Sequence, residues 1–192
     1  MYTLFISTYD KLINISLLKD GKLKNALEEI SKQNHSVLVM PMIDRILKDN
    51  KIKTNDLNEI IVVNGPGSFT GVRIGVVIAK TLSYTLNIPI KTITSLECIL
   101  VSNKSNKNKL AIISDTKGKY VGYFNKENEL LEEFKYLKSN EYEEYIIDKK
   151  VYIIDDNKFD VESIYNYLKD KESINPHLVN PIYIKGIDAL NG

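Results

Sequence analysis

The chain has 192 residues, of which 43% are hydrophobic and 27% are charged, and its formal net charge at pH 7 is +1. This balance is typical of a folded globular protein and provides no overall positive field that would attract nucleic acid. The single cysteine, Cys98, excludes an internal disulfide, and no apolar run approaches the roughly 20 residues that span a bilayer. Because no basic and apolar leader is visible at its start, the sequence predicts a cytoplasmic protein without a membrane segment.

Alternating and helical patterns of apolar residues divide the first part of the chain into strands and helices. Two strands are predicted at 2–8 and 12–18, and a third at 22–27 after an Asp-Gly turn. The elements that follow are helix 36–48, a polar loop at 49–58, strand 59–63, a glycine-rich turn, helix 70–87, an extended segment at 90–93 and a helix at 95–101. Residues 103–109 contain only Asn, Lys and Ser, and they are predicted to be a linker.

A similar order of elements returns after the linker. Strands at 110–114 and 120–124 flank a hairpin turn at 115–118, and a third strand is predicted at 130–137. A helix at 140–147, a strand at 151–154, a helix at 161–169 and an extended piece at 182–185 complete the chain. The repetition predicts an α/β protein with two lobes, 1–102 and 110–192, each built from a small mixed sheet with helices packed on it.

The stretch from Asn64 to Gly75 is the most distinctive motif, because a glycine-rich turn joins an apolar strand to an apolar helix. The turn consists of Gly65, Pro66, Gly67, Ser68, Phe69, Thr70 and Gly71. Such a turn can present backbone N–H groups at the positive end of a helix, which suits a phosphate group. It lacks the lysine of a GxxxxGK[ST] loop and the glycine spacing of a dinucleotide fold. The alternative is a tight turn that lets the helix approach its strand closely, and the pattern leaves both open.

Few residues of the chain suit catalysis. Metal-assisted phosphoryl transfer needs carboxylates at strand ends, where only Asp10 and Asp115 are found, while Ser7 stands at the end of the first strand. His35 and His177 are the only histidines, and the chain has neither a zinc-ligand spacing nor a nucleophile elbow. The sequence therefore predicts no catalytic residue and no metal site. A small actin-like nucleotide-dependent kinase or ATPase is the alternative.

Helices 36–48 and 70–87 are apolar around most of their circumference, although a surface helix normally has a broad polar face. One sheet covers only one side of a helix, so the remaining apolar surface predicts a protein interface. The opposite interpretation is that the two helices cover each other within one core. By helical phase, the predicted docking surface consists of Val39, Met42, Ile46, Val72, Arg73, Val76, Ala79 and Ser83.

The segment GPGSFTGVRIG, from Gly65 to Gly75, resembles the signature of the TsaB (YeaZ) family of bacterial tRNA-modification proteins. Weaker matches occur in the family's order at 4–8, 17–21, 35–42, 115–124 and 181–185. The resemblance implies a duplicated RNase H-like fold of the actin-like (ASKHA) ATPase kind, in agreement with the repeated order of elements. The chain departs from the family pattern at Ser7, where members have aspartate, and at 153–157, where members carry a glycine-rich turn.

The resemblance also implies a function. Members of this family lack catalysis of their own and pair through these two helices with the catalytic paralogue TsaD, and the ATPase TsaE joins the pair. The complex transfers a threonylcarbamoyl group to the tRNA adenosine next to the anticodon, which is t6A formation. The chain is therefore expected to be a non-catalytic subunit that forms a heterodimer with TsaD, or a homodimer when alone, and reaches tRNA through the complex. No firmly bound cofactor is expected, and the place expected for ATP or ADP is the joint with the partner.

Overall fold

The first of two sheets is built from strands near the start of the chain. The computed structural model describes residues 1–32, 34–147, 149–155 and 158–185. Its first sheet contains β1 (Tyr2–Ser7), β2 (Leu12–Lys19), β3 (Lys22–Ile30), β4 (Leu57–Val63) and β5 (Ile90–Ile93). The order across the sheet is β3-β2-β1-β4-β5, with antiparallel pairing from β1 to β3 and parallel pairing of β1 with β4 and of β4 with β5.

The second sheet repeats this arrangement. It contains β6 (Lys109–Ser114), β7 (Gly118–Phe124), β8 (Lys135–Lys138) and β9 (Tyr152–Ile154) in the order β8-β7-β6-β9. In both sheets the strand that opens the unit pairs with an antiparallel hairpin neighbour on one side and a parallel strand on the other. This repetition confirms the predicted duplicated RNase H-like, actin-like architecture. Residues 186–192 of the predicted second lobe, and residues 156–157 of the departure from the family's glycine-rich turn, lie outside the described residues.

In the described ranges, five helices pack on the two sheets. They are α1 (His35–Asp49), α2 (Phe69–Leu86), α3 (Ser95–Ser102), α4 (Ser139–Ile146) and α5 (Val161–Leu168), and the described ranges also hold two short 3-10 turns, Thr54–Asp56 and Pro176–Leu178. Helices α1 and α2 pack against each other and on the first sheet, whereas α4 packs on β7 and β8. Helix α3 packs on β6 and β7, and α5 packs on α3 and on β3. None of the helices in the described ranges is long and apolar enough to cross a membrane.

One contiguous cluster of buried side chains reaches from the first sheet to the second. It includes Phe5 of β1, Leu96 of α3, Ile164 of α5 and Phe124 of β7, all nearly or completely buried. A smaller cluster lies under α4 on the other face of the second sheet. The two sheets therefore share a single main core, which buried side chains of α3 and α5 continue from one sheet to the other.

A buried ion pair that the sequence analysis missed joins β4 to β5. The side chains of Glu59 and Lys91 are only 7% and 10% exposed, and Lys91 Nζ lies 3.0 Å from Glu59 Oε1. The Thr3 hydroxyl donates to Glu59 Oε2 at 3.3 Å, and Lys91 Nζ also donates to the carbonyl oxygen of Lys169 at 3.0 Å. Because Lys169 directly follows α5, the pair also ties the edge of the first sheet to the end of that helix.

The structure corrects two boundaries in the second half. The strand predicted at 130–137 is wrong in its first part, because β8 begins only at Lys135 and Leu130 forms an isolated bridge with Phe124. Glu132, between them, turns toward Lys135 and Lys149 instead of continuing a strand. The predicted linker ends early, because β6 begins at Lys109, whose buried ammonium donates to the carbonyl oxygen of Lys126 at 3.1 Å.

Candidate functional site

The glycine-rich turn packs directly against the turn that joins β1 to β2. The N–H of Ser68 donates to the carbonyl oxygen of Tyr9 at 2.7 Å, and the Thr8 hydroxyl donates to the carbonyl oxygen of Gly71 at 2.7 Å. A Cβ atom on Gly67 would lie 2.3 Å from the Tyr9 carbonyl oxygen, and one on Gly71 would lie 2.2 Å from that of Thr8. Glycine is therefore required at both positions for the two turns to approach each other.

The turn also satisfies other polar groups within the chain. Ser68 caps α2, since its hydroxyl accepts a hydrogen bond from the N–H of Gly71 at 3.2 Å. The N–H of Ser95 donates to the carbonyl oxygen of Gly65 at 2.9 Å, and its hydroxyl donates to that of Pro66. The residues present do not fit a phosphate held by the N–H groups of Ser68 and Gly71, because both already have partners in the protein. This geometry favours the tight-turn interpretation of the motif.

The carboxylate of Asp115 is engaged in the β6–β7 turn. Its Oδ1 accepts from the N–H groups of Lys117 and Gly118 at 2.7 and 2.8 Å and from the Tyr136 hydroxyl at 2.7 Å. Its Oδ2 lies 3.2 Å from Lys185 Nζ. Burial raises the pKa of Asp115, but these hydrogen bonds outweigh it and hold the pKa below its usual value. The side chain therefore stabilises a turn and a contact with the C-terminal segment.

His35 is the first residue of α1 and is buried among backbone and hydroxyl groups. Its Nε2 lies 3.0 Å from the carbonyl oxygen of Asp10, so this nitrogen carries the proton, and its Nδ1 lies 3.0 Å from the Ser31 hydroxyl. The ring thus connects the β1–β2 turn to the chain just before α1. Ser7, at the end of β1, is completely buried. Within the described ranges, no group of three or more His, Cys, Asp or Glu side chains could hold a metal ion.

Seven of the eight residues of the predicted docking surface face the core, so this part of the prediction is wrong. Each is at most 5% exposed: Val39, Met42, Ile46, Val72, Val76, Ala79 and Ser83. Helical phase placed them on one side of α1 and of α2, but phase does not indicate which side a sheet covers. The two helices bury this side against the first sheet and against each other. Arg73 is the member of the set that is exposed.

The opposite sides of the two helices carry large apolar side chains in solvent. Val37 and Met40 of α1 are 66% and 46% exposed, and Phe69, Val77 and Tyr84 of α2 are 44%, 59% and 65% exposed. We term these five side chains the outer face. The charged residues of α1 form ion pairs within the helix, Lys48 with Asp44 and Arg45 with Asp49.

A groove runs along α2 beside the segment that ends the described part of the chain. This α2 groove has an accessible space of about 390 Å³ and is lined by Arg73, Val76, Val77, Lys80, Val179, Asn180, Pro181 and Tyr183. The segment is held by backbone contacts, since the N–H of Ile182 donates to the carbonyl oxygen of Asn64 at 2.8 Å. The sequence alone assigns residues 182–185 no role in a surface, because Ile182 and Tyr183 contact residues more than 100 positions away in the chain.

The sequence comparisons match proteins named for the threonylcarbamoyl modification of tRNA. Residues 27–143 match the sequence profile of the family described as "TsaD: tRNA N6-adenosine threonylcarbamoyltransferase". The tRNA threonylcarbamoyladenosine biosynthesis protein TsaB of Bacillus subtilis (strain 168) is 38% identical over 135 residues, which are 69% of this chain and 59% of the relative. TsaB of Escherichia coli (strain K12) is 34% identical over 96 residues, 50% of this chain and 41% of the relative.

A solved structure shows the same fold over nearly the whole length. YeaZ from Pseudomonas aeruginosa matches with a TM-score of 0.77 at 18% identity, over 95% of this chain and 99% of that one. The sequence alignments are shorter than this structural match. Each of them spans less than two thirds of the length of its TsaB relative.

Proposed function

Because this chain belongs to the TsaB (YeaZ) family, we propose that it takes part in t6A formation on tRNA as a subunit without catalytic chemistry of its own. Its partner in this proposal is a TsaD-type transferase, with which it forms a heterodimer. A TsaE-type ATPase joins the pair, and the chain reaches tRNA through the complex. The relatives' names supply the pathway, and the surface of the chain supports the role of a docking subunit.

The observation that carries this proposal is the outer face of α1 and α2. A monomer gains nothing from exposing Val37, Met40, Val77 and Tyr84 together on two neighbouring helices, and apolar surface of this kind is typical of an interface. The flexible Met40 side chain can adapt to a partner's shape. The outer face is therefore the surface that we assign to the TsaD-type partner, in place of the buried side predicted from helical phase. In the absence of the partner, the same face would support a homodimer.

The candidate catalytic positions support a binding role over a chemical one. Asp115 is held by four hydrogen-bond donors, His35 contacts a backbone carbonyl and a hydroxyl, and Ser7 stands buried at the end of β1. An active phosphotransferase would need carboxylates free to hold Mg²⁺ beside the phosphates. We therefore propose that any ATP or ADP in the assembled complex binds at the joint with the partner and not at the glycine-rich turn.

The test is coexpression of this chain with the TsaD homologue of its own genome, followed by size-exclusion chromatography with light scattering. We expect a heterodimer for the wild-type chain and none for Val77→Glu, which would replace an apolar side chain of the outer face by a charged one that has to lose its water in the interface. The matched control is Asn106→Glu, which adds the same charge at an exposed position in the loop after α3. Both variants should melt within about 2 °C of the wild type, because exposed substitutions rarely change stability by more than about 0.5 kcal/mol.

Two results would contradict the proposal. Separate peaks for the wild-type chain and its TsaD homologue would show that the two proteins do not form a complex. Mg²⁺-dependent turnover of ATP by this chain alone would then favour the kinase or ATPase alternative. A heterodimer that survives Val77→Glu with unchanged affinity would place the interface away from the outer face. Val76→Glu is unsuitable for this test, because Val76 is 2% exposed and the substitution would disrupt the core.

A further inference from the structure

Arg73 is held on the surface by two aromatic rings. Its guanidinium carbon lies 3.8 Å from the centre of the Phe69 ring and 5.5 Å from that of the Tyr183 ring, and its Nε donates to the Tyr183 hydroxyl at 2.6 Å. The two rings also contact each other, with centres 5.0 Å apart. Within the described ranges, no acceptor contacts the terminal amino groups of Arg73. The structure therefore presents an oriented guanidinium whose two outer donor groups are unused.

Lys80 extends this positive surface along the same side of α2. Seven residues correspond to nearly two full turns, so the two cations lie on one stripe about 10 Å apart along the helix axis. Lys80 Nζ donates to the carbonyl oxygen of His177 at 3.3 Å. Neither α2 nor residues 174–185 contain an aspartate or a glutamate. Within the described ranges, no carboxylate forms an ion pair with either cation.

The space between the two cations is apolar. The floor and walls of the α2 groove there are formed by Val76, Val77, Val179 and Pro181. A partner that covers this groove removes water from both cations. Burying them without an opposite charge is strongly unfavourable, whereas a carboxylate placed on Arg73 forms a charge-assisted bidentate pair.

We propose that the α2 groove binds a helix of the TsaD-type partner that carries both acidic and apolar side chains, and that Arg73 forms an ion pair with one of that helix's carboxylates. This inference rests on the proposed function, since it names the chemistry by which that partner is selected. Charge complementarity excludes a basic segment, and the two positive charges disfavour a purely apolar one. The spacing of Arg73, Val77, Lys80 and Tyr84, which is four, three and four residues, is typical of a seam along which a second helix packs. The occupant therefore carries an apolar residue against Val77 and carboxylates about 10 Å apart, opposite the two cations.

Calorimetric titration of this chain with the TsaD homologue of its own genome tests the inference. Arg73→Ala should weaken binding by about 30-fold or more, because it leaves a partner carboxylate without its cation. Arg73→Lys keeps the charge but loses the planar fork, and it should weaken binding by at least about tenfold. Tyr183→Phe removes only the hydroxyl that orients Arg73, and it should weaken binding by roughly fivefold. Lys104→Ala, at an exposed position outside the groove, is the matched control and should bind like the wild type.

Charge reversal provides the second arm. Arg73→Glu should abolish binding, and replacing the acidic residues of the partner's docking helix by lysine, one at a time, should restore it for the residue that Arg73 contacts. A wild-type complex whose affinity is unchanged by Arg73→Ala and Arg73→Lys overturns the inference and leaves the proposed function standing. Absence of a complex with the wild-type chain overturns both. Thermal melting within about 2 °C of the wild type confirms that each variant is folded.

Discussion

Gly75 of α2 lies so close to the β1–β2 turn that a methyl group should not fit. A Cβ atom at this position would lie 2.2 Å from the hydroxyl oxygen of Thr8. Thr8 is completely buried, and its hydroxyl is held by the carbonyl oxygen of Gly71, so it cannot turn away without losing a hydrogen bond. Overpacking of this kind costs about 1–3 kcal/mol, and alanine returns about 1 kcal/mol of helix propensity. We therefore expect Gly75→Ala to lower the free energy of unfolding by up to about 2 kcal/mol.

The effect of Gly75→Ala on the free energy of unfolding should change when Thr8 is replaced by alanine. Thr8→Ala alone should cost about 1 kcal/mol for the lost hydrogen bond. In that background the space opposite residue 75 is open, so Gly75→Ala should be neutral or stabilise by up to about 1 kcal/mol. The expected coupling energy between the two positions is thus about 2 kcal/mol. Urea denaturation of the four proteins, followed by circular dichroism, measures each free energy of unfolding.

A coupling energy below about 0.5 kcal/mol, or a Gly75→Ala protein more stable than the wild type, would refute this reasoning. Either result would mean that α2 does not press on the β1–β2 turn in solution. The glycine-rich turn would then be open at this place, and the phosphate-binding interpretation of the motif would regain support.

Three further predictions concern buried or paired side chains. Lys91→Met should lower the free energy of unfolding by about 3–5 kcal/mol, because it leaves Glu59 charged and without its ion-pair partner in the core. The double variant with Glu59→Leu should recover most of this loss, and urea denaturation measures both. Hydrogen bonds from two neighbouring lysines lower the pKa of Glu132 to about 2, so the stabilisation by its ion pairs is complete above the ordinary glutamate pKa and is lost as the pH falls toward 2. Carbon NMR should find this carboxylate ionised at pH 3, and a midpoint near 4.5 would contradict the prediction. Burial raises the pKa of the Cys98 thiol, so it should react with a thiol reagent only after the addition of denaturant, and rapid reaction in native buffer would show that α3 opens.

Local patterns were sufficient to predict most of the fold. The alternation in the first two strands and the helical period in α1 and α2 arise from burial on one face, which leaves a direct trace in the order of apolar residues. Helix α2 was predicted at 70–87 and is observed at Phe69–Leu86. The segment 130–137 misled the prediction, because its apolar residues pack as a loop against Phe124 and only the last of them pair as a strand.

The candidate site was harder to predict, because its features depend on contacts distant in sequence. A helix that is apolar nearly all round does not reveal which side a sheet covers, so the buried side of α2 was predicted to dock. The pairing of Glu59 with Lys91 joins residues 32 positions apart. The contact of Tyr183 with Arg73 spans 110 positions. Such pairs follow from the topology of the sheets, which the composition of either segment does not encode.

The core that α3 and α5 carry between the sheets has a consequence for motion. Many two-lobed enzymes work by a hinge that closes around a substrate. Here the Phe5 ring of the first sheet contacts that of Phe159, just before α5, with centres 5.5 Å apart, and Lys91 holds the carbonyl group of Lys169 just after that helix. Opening a cleft would break both contacts together with the shared core. We therefore expect the two lobes to move as one body, so that a partner docking on the outer face would find it already ordered and would cost it little conformational entropy.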